Sequence, residues 1–214
     1  MKVAILLPGN AYTPGFFRSW TRLVAALSVD KRIEVVFRNL YSPVVYQGRN
    51  AMLLDGQDPT RDAIPLRGEY DRLFWLETDM VFGLEDFYRL LAADVDVVSA
   101  MYPMSTVTPL CAVGGIYADG KEYRANIPLN LESEKELSEV DFFGLGFVMM
   151  KRGVLERIGY PWFNELYEER GGRIEYLGDD FSLCKQLKAH RVKLHLHTKV
   201  VVGHEKSIVL NGRA

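Results

Sequence analysis

The chain has 214 residues, 48% of them hydrophobic and 25% charged, with a formal net charge of -2; this describes a globular protein with a substantial core and excludes a disordered chain or a generally basic, polyanion-binding one. Its two cysteines, Cys111 and Cys184, are too few and too far apart for a disulfide framework or a thiolate metal site, which points to a reducing, cytoplasmic setting. The opening apolar run is shorter than that of a signal peptide and no run approaches the roughly 20 residues that span a bilayer, so neither leader nor membrane span is expected.

In chain order, KVAILLP at 2–8 reads as a strand buried on both faces, as in a parallel sheet. PGFFRSWTRLVAALS at 14–28 sets Phe17, Trp20, Leu23, Val24 and Leu27 at helical spacing. IEVVFRN at 33–39 reads as a second strand, GRNAMLLDG at 48–56 as a short helix, and RLFWLET at 72–78 as a third strand. LEDFYRLLAA follows as a helix and DVDVVSAMYP at 94–103 as another buried strand. This alternation predicts an α/β fold with a mostly parallel sheet flanked by helices.

The second half changes character. LCAVGGIYADGKEYR at 110–124 predicts a small β-ribbon turning at Asp-Gly, and VDFFGLGFVMMKR a strand interrupted by Gly144 and Gly146. NELYEERGGRIEYLG reads as a loop, DFSLCKQLKAH as a helix from about 180 to 190, and KLHLHT and KVVVGH as two closing strands.

Five stretches carry candidate chemistry. In ETD, an extended backbone would point Glu77 and Asp79 to one face, beyond the carboxyl end of a sheet strand, where two hard oxygen ligands suit Mg²⁺ or Mn²⁺; the same acids could instead be a solvated strand end that caps the next helix. In LGDDF, Asp179 makes a good N-cap and Asp180 suits the helix dipole, yet two consecutive acids exceed what a cap needs and fit a general base with its orienting partner. His204 ends a strand, where an imidazole can complete a carboxylate site; His195 and His197 would share a strand face but lack a third ligand. Gly144 and Gly146 fit either close core packing or a wall that a ligand approaches. Gly48 and Arg49, read at a helix start, offer N–H groups and a guanidinium to a diphosphate.

The order of these pieces resembles the GT-A glycosyltransferases, in particular the small single-domain ones common in bacterial and viral genomes, over nearly the whole chain. FWLETDMVF is similar to the family's D-x-D strand, and GDDFSLCKQLKAHRVKLHLHTKVVVGH to its acidic-pair helix followed by a metal histidine. Glutamate stands in place of the usual first aspartate, and Gly-Asp-Asp in place of the commoner Glu-Asp.

The resemblance implies one domain over 1–214, with a nucleotide-binding half, 1–103, and an acceptor-binding half, 104–214. It implies that Asp79 and His204 hold Mn²⁺ or Mg²⁺, with Glu77 reaching the ribose or a metal-bound water and Thr78 between them. Leu7 and Pro8 would flank the nucleobase and Arg49 and Asn50 the diphosphate. Asp180 would be the catalytic aspartate beside Asp179, and Gly144, Leu145, Gly146 and Trp162 would lie along the sugar and acceptor side. The implied activity is transfer of a sugar from a nucleoside-diphosphate sugar, a UDP-sugar being favoured, to a hydroxyl acceptor such as a glycan, with inversion or retention left open. A sugar-phosphate nucleotidyltransferase is the second enzyme reading, though LLPGNAYTPGF lacks the basic residues such a loop carries. A non-catalytic carbohydrate or nucleic-acid binding module is the third. A modified-DNA acceptor is compatible with a local strip of Lys185, Lys188, Arg191 and Lys193 but runs against the acidic balance.

Overall fold

In a computed structural model, the structure describes residues 1–103, 110–111, 127–128 and 135–207. The first strand, β1 (Lys2–Pro8), is buried from Val3 to Leu7 because it runs between two neighbours and lies beneath helices. Helix α1 (Pro14–Val29) starts at Thr13, whose hydroxyl accepts from Phe16 N–H at 3.3 Å, with Pro14 in the first turn where no donor is missed. Its inner stripe is Phe16, Ser19, Leu23 and Leu27; Phe17, expected inside, is exposed. Two adjacent phenylalanines fit the helical period almost equally well, and tertiary packing chose the first.

Strand β2 (Glu34–Leu40) leads to α2 (Val45–Leu54), which begins three residues before the expected start. Arg49 therefore lies mid-helix, its N–H inside the helical ladder, and only its side chain can act on a ligand. Strand β3 (Arg72–Leu76) is followed by the short β4 (Met80–Val81), α3 (Leu84–Ala92) and β5 (Val97–Met101). Helix α3 buries Phe87 and Leu90 and is opened by Gly83, whose N–H donates to Asp86 at 2.8 Å.

The later strands are β6 (Leu110–Cys111), β7 (Ile127–Pro128), β8 (Leu137–Val140), β9 (Phe147–Lys151), β10 (Leu166–Arg170) and β11 (Arg173–Leu177). Helix α4 (Asp179–Ala189), β12 (Leu194–Val201) and β13 (Gly203–His204) complete the described chain. Strands β6 and β7 pair antiparallel as a two-stranded ribbon, and the Asp-Gly turn expected there lies outside the described residues.

The main sheet has seven strands in the order β2-β1-β3-β9-β5-β12-β8. Strands β2, β1, β3, β5 and β12 run one way, and β9 and β8 run against them. The result is a mixed, mostly parallel sheet, with α2 packed on β1 and β2 and α3 on β5, β9 and β12.

Three further expectations are corrected. Gly144 and Gly146 precede β9 instead of interrupting it, and the two closing strands divide differently: β12 runs from KLHLHT on to Val201, its register against β5 shifting between Leu196 and Val201, and only Gly203–His204 stand apart as β13. The stretch read as a loop from 164 to 178 contains the β10–β11 hairpin. Gly171 and Gly172, at φ 54° and 76°, supply the paired positive-φ positions of its tight turn.

Candidate active site

The carboxyl ends of β1, β2 and β3 meet at a cleft of about 250 Å³ whose lining includes Pro8, Gly9, Tyr41, Arg49, Thr78 and Asp79. Open α/β sheets bind ligands at this end because the strands stop there while the loops and helix termini diverge. Tyr41, one residue past β2, is 57% exposed at the cleft.

Strand β3 stops at Leu76, so Glu77, Thr78 and Asp79 form a turn instead of continuing the pleat. Glu77 N–H donates to Gly146 O at 2.9 Å and Met80 N–H closes the turn onto Glu77 O at 3.2 Å. The expected shared face is thereby lost, and the two carboxylates find different partners.

Glu77 turns to Arg49. The Arg49 guanidinium is buried, donating from Nη2 to Glu77 Oε1 at 2.9 Å and from Nε to Asp179 Oδ2 at 2.6 Å. It also sits 5.1 Å from the Trp75 ring centroid and 5.7 Å from that of Phe163, so aromatic faces replace part of its lost hydration. Its third nitrogen, Nη1, is buried without a hydrogen-bond partner.

Asp79 turns the other way. Strand β13 pairs antiparallel with β4, His204 opposite Met80, and Glu205 N–H donates to Asp79 O at 2.8 Å. This pairing brings His204 Nε2 to 3.0 Å from Asp79 Oδ2, while His204 Nδ1 donates to Pro103 O at 3.1 Å. A hydrogen on Nδ1 leaves the Nε2 lone pair facing the carboxylate, a contact that needs a proton or a cation between the two. Lys206 Nζ donates to the same Asp79 Oδ2 at 2.8 Å, and Oδ1 is buried without a partner. Burial pushes the Asp79 carboxyl up, but its contacts with His204 and Lys206 outweigh it and hold its pKa below the ordinary value.

No group of three or more acidic, histidine or cysteine side chains is arranged around a metal position among the described residues. The donor set of Asp79 and His204, one hard oxygen and one imidazole with an orphaned carboxylate oxygen, fits a Mn²⁺ or Mg²⁺ ion that takes its remaining ligands from phosphate oxygens and water. Glu77, engaged by Arg49, is not part of that set.

Helix α4 brings the second acidic pair beside Arg49. Its N-cap is Gly178, so Asp179 sits one position further in than expected and both acids occupy the first turn, where the helix dipole favours them. Asp179 is committed to Arg49. Asp180 accepts from Phe181 N–H at 2.7 Å, and its pKa is raised to about 6, first by burial and then by the neighbouring Asp179 charge.

Around Asp180 the packing explains both glycines. A Cβ at Gly144 would overlap the Tyr102 hydroxyl, and one at Gly146 would come within 2.9 Å of Met80 Cε. Gly146 N–H donates to the Tyr102 hydroxyl at 3.3 Å, and Gly144, Leu145 and Gly146 are all buried. Trp162, expected along the sugar and acceptor side, is instead fully buried, packed edge-on against Tyr160, and does not line the cleft.

Of the expected residues, the structure joins Arg49 to Glu77 and Asp179, with Asp180 next to Asp179, and joins Asp79 to His204, while Arg49, Glu77, Thr78 and Asp79 line the cleft. Leu7 is buried behind Pro8, and its carbonyl accepts from the Asn39 amide at 2.7 Å. Asn50 faces away from the cleft, exchanging hydrogen bonds with the Phe163 backbone. Sequence reasoning missed Tyr41, Tyr102, Phe163 and Lys206; only Tyr41, an aromatic just beyond a strand end, carried a local signal. Two members of the expected basic strip are paired: Lys188 with Asp141, and Lys193 with Glu139 at 3.0 Å.

No family model matches this sequence, and no curated protein matches it. Solved structures do. A197 from STIV superposes with a TM-score of 0.57 at 20% identity, covering 97% of this chain and 87% of that one. GalNAc-T7, crystallised with UDP, GalNAc and Mn²⁺, superposes with a TM-score of 0.55 at 11% identity, covering 95% of this chain and 43% of its own. The likeness is one of fold. It puts the seven-stranded sheet and its helices among GT-A-like structures and leaves the chemistry to be argued from the cleft. Among the described residues no helix is long and apolar enough to cross a membrane.

Proposed function

We propose that the protein is a glycosyltransferase that moves a hexosyl or pentosyl group from a nucleoside-diphosphate sugar, a UDP-sugar being favoured, to a hydroxyl of a glycan. The observation that carries this reading is a pair of buried polar atoms without partners, the donor Arg49 Nη1 and the acceptor Asp79 Oδ1, belonging to residues that line one cleft. Buried polar groups are almost always satisfied, so an orphaned donor and an orphaned acceptor on two residues of one cleft support a ligand that supplies both an anion and a cation. A diphosphate with its divalent ion does so.

Tyr41 would stack on the nucleobase, and Glu77, fixed by Arg49, would turn its other oxygen to the ribose. Asp79 and His204 would hold the divalent cation, which when bound neutralises charge on the departing diphosphate. Arg49 adds fixed positive charge on the same side, and burial of its surroundings strengthens that field. Asp180, with a pKa of about 6, is ionised at neutral pH yet basic enough to accept the proton of the acceptor hydroxyl. In this inverting displacement the acceptor oxygen bonds to the anomeric carbon, the bond to the diphosphate breaks, and the proton resides on Asp180.

The test is sugar transfer by purified protein with Asp79→Ala and Asp180→Asn. Asp180→Asn should lose at least about 100-fold in turnover while still binding donor, and Asp79→Ala should lose metal-dependent donor binding. Full activity in both variants would overturn the assignment.

A further inference from the structure

Helix α2 is a wall between two clefts. Val45, Gly48 and Arg49 border the cleft described above, whereas Tyr46, Gln47 and Asn50 border a second groove, closed on its far side by Tyr160, Asn164 and Glu165. The second groove, at about 460 Å³, is the larger of the two, and it falls within the range of small-molecule sites, roughly 300–1,000 Å³. It is held open by fixed contacts. Asn50 Nδ2 donates to Phe163 O at 2.7 Å and Phe163 N–H donates to Asn50 Oδ1 at 3.1 Å, fastening α2 to the segment opposite. Asn164 Nδ2 donates to Gln186 Oε1 of α4 at 3.1 Å.

The chemistry of the walls selects a ligand class. Tyr46 and Tyr160 are half-buried rings, Gln47 and Asn164 carry amides, and Glu165 is an exposed carboxylate. Among the described residues that line the groove none is a cation; Arg61, at its edge, is engaged by Tyr160 O at 3.0 Å, and the Glu165 carboxylate would repel a phosphorylated or sulfated ligand. A purely apolar ligand would strip water from the amides and the carboxylate without replacing their hydrogen bonds. A neutral saccharide satisfies both demands: its C–H faces pack on tyrosine rings, and its hydroxyls bond to amide and carboxylate oxygens. The Tyr46 hydroxyl reaches Glu165 Oε2 only at 3.4 Å, a long bond that a ligand hydroxyl can replace.

We infer that this groove is a saccharide-binding subsite, holding a sugar unit of the acceptor away from the hydroxyl that reacts. From Leu166, at the groove edge, the chain runs through the β10–β11 hairpin directly into Asp179 and Asp180. A sugar seated there contributes binding energy that orients the acceptor without touching the reacting atoms. The acceptor role rests on the glycosyltransferase reading; binding of a neutral saccharide does not.

The test uses the full chain on an array of neutral oligosaccharides, followed by calorimetric titration of the strongest binders, without nucleotide or metal. At least one neutral oligosaccharide should bind. Gln47→Ala and Tyr160→Ala should each weaken it at least about fivefold, while the melting shift given by UDP with Mn²⁺ stays unchanged. Gln47 is exposed, so its replacement tests the groove even if Tyr160→Ala disturbs folding. Absence of binding to every neutral oligosaccharide, or binding indifferent to Gln47→Ala, overturns the proposal whatever the nucleotide does. Groove-dependent saccharide binding with no response to any nucleotide sugar upholds the groove and overturns the transferase reading instead.

Discussion

Arg49 and Asp179, 130 residues apart, form a 2.6 Å ion pair that ties the middle of α2 to the first turn of α4. Because Arg49 also holds Glu77 at 2.9 Å, one guanidinium fixes both a carboxylate at the end of β3 and the neighbour of Asp180. The arginine fork suits this task, since its nitrogens present several donors in one plane, which an ammonium cannot.

Arg49→Lys should therefore destabilise the protein by about 2–4 kcal/mol, toward the range for breaking a buried ion pair, because one of the two carboxylates loses its partner. Urea denaturation measures this. Donor affinity should fall in the same variant, and an unchanged denaturation midpoint would show that the bridge contributes nothing.

Asp180 gives a pH signature. Its folded pKa of about 6 lies above the ordinary value of 3.8, so between those limits the folded state binds a proton that the unfolded state releases. Stability is thus lost as pH rises through that window, and above about pH 6 the full cost of the buried charge, at most roughly 3 kcal/mol, is present. Asp180→Asn removes the charge. It should melt a few degrees higher than the parent at pH 7.5 and show no advantage below about pH 4. Transfer by the parent should decline as pH falls through about 6.

Tyr41 supplies the exposed aromatic face of the cleft. Stacking of a base on an aromatic side chain is worth about 1–3 kcal/mol, so Tyr41→Ala should weaken UDP binding roughly 10-fold or more, and Tyr41→Phe should preserve it. Titration calorimetry distinguishes the two.

The Gly144 backbone has no room for a methyl group beside the Tyr102 hydroxyl. Gly144→Ala should cost about 1–3 kcal/mol by overpacking. In a Tyr102→Phe background the cost should be smaller, since the obstructing oxygen is gone, and a double-mutant cycle measures that coupling.

The sheet and helices were legible because each obeys a local period: β1 is a continuous apolar run, and α3 sets Phe87 and Leu90 three residues apart. The acids beyond β3 could be found but not oriented, because whether Glu77 and Asp79 share a face depends on where the strand ends. The Glu77 N–H to Gly146 O bond is the last rung of the β3–β9 pairing, and the turn closed by Met80 N–H on Glu77 O then takes Thr78 and Asp79 out of the pleat, a break that leaves no trace in ETD. His204 could be guessed from its position after a strand. Lys206 and the Glu205 carboxylate, which accepts from Gly15 N–H at 2.7 Å, could not, since their partners are set by the β13–β4 pairing. The β10–β11 hairpin did carry a local signal, Gly171-Gly172 between alternating residues, which charge-rich flanks obscured.

If Asp79 and His204 with Arg49 form the proposed nucleotide-sugar site with its divalent cation, thermal denaturation of the protein with a panel of nucleotide sugars, with and without Mn²⁺, will read it out. A ligand that binds the folded state raises the melting temperature according to its concentration relative to Kd. The melting temperature should rise with a UDP-sugar and Mn²⁺ together, change little with either alone, and not rise in Asp79→Ala. No metal-dependent rise with any nucleotide sugar, or the same rise in Asp79→Ala, would contradict it.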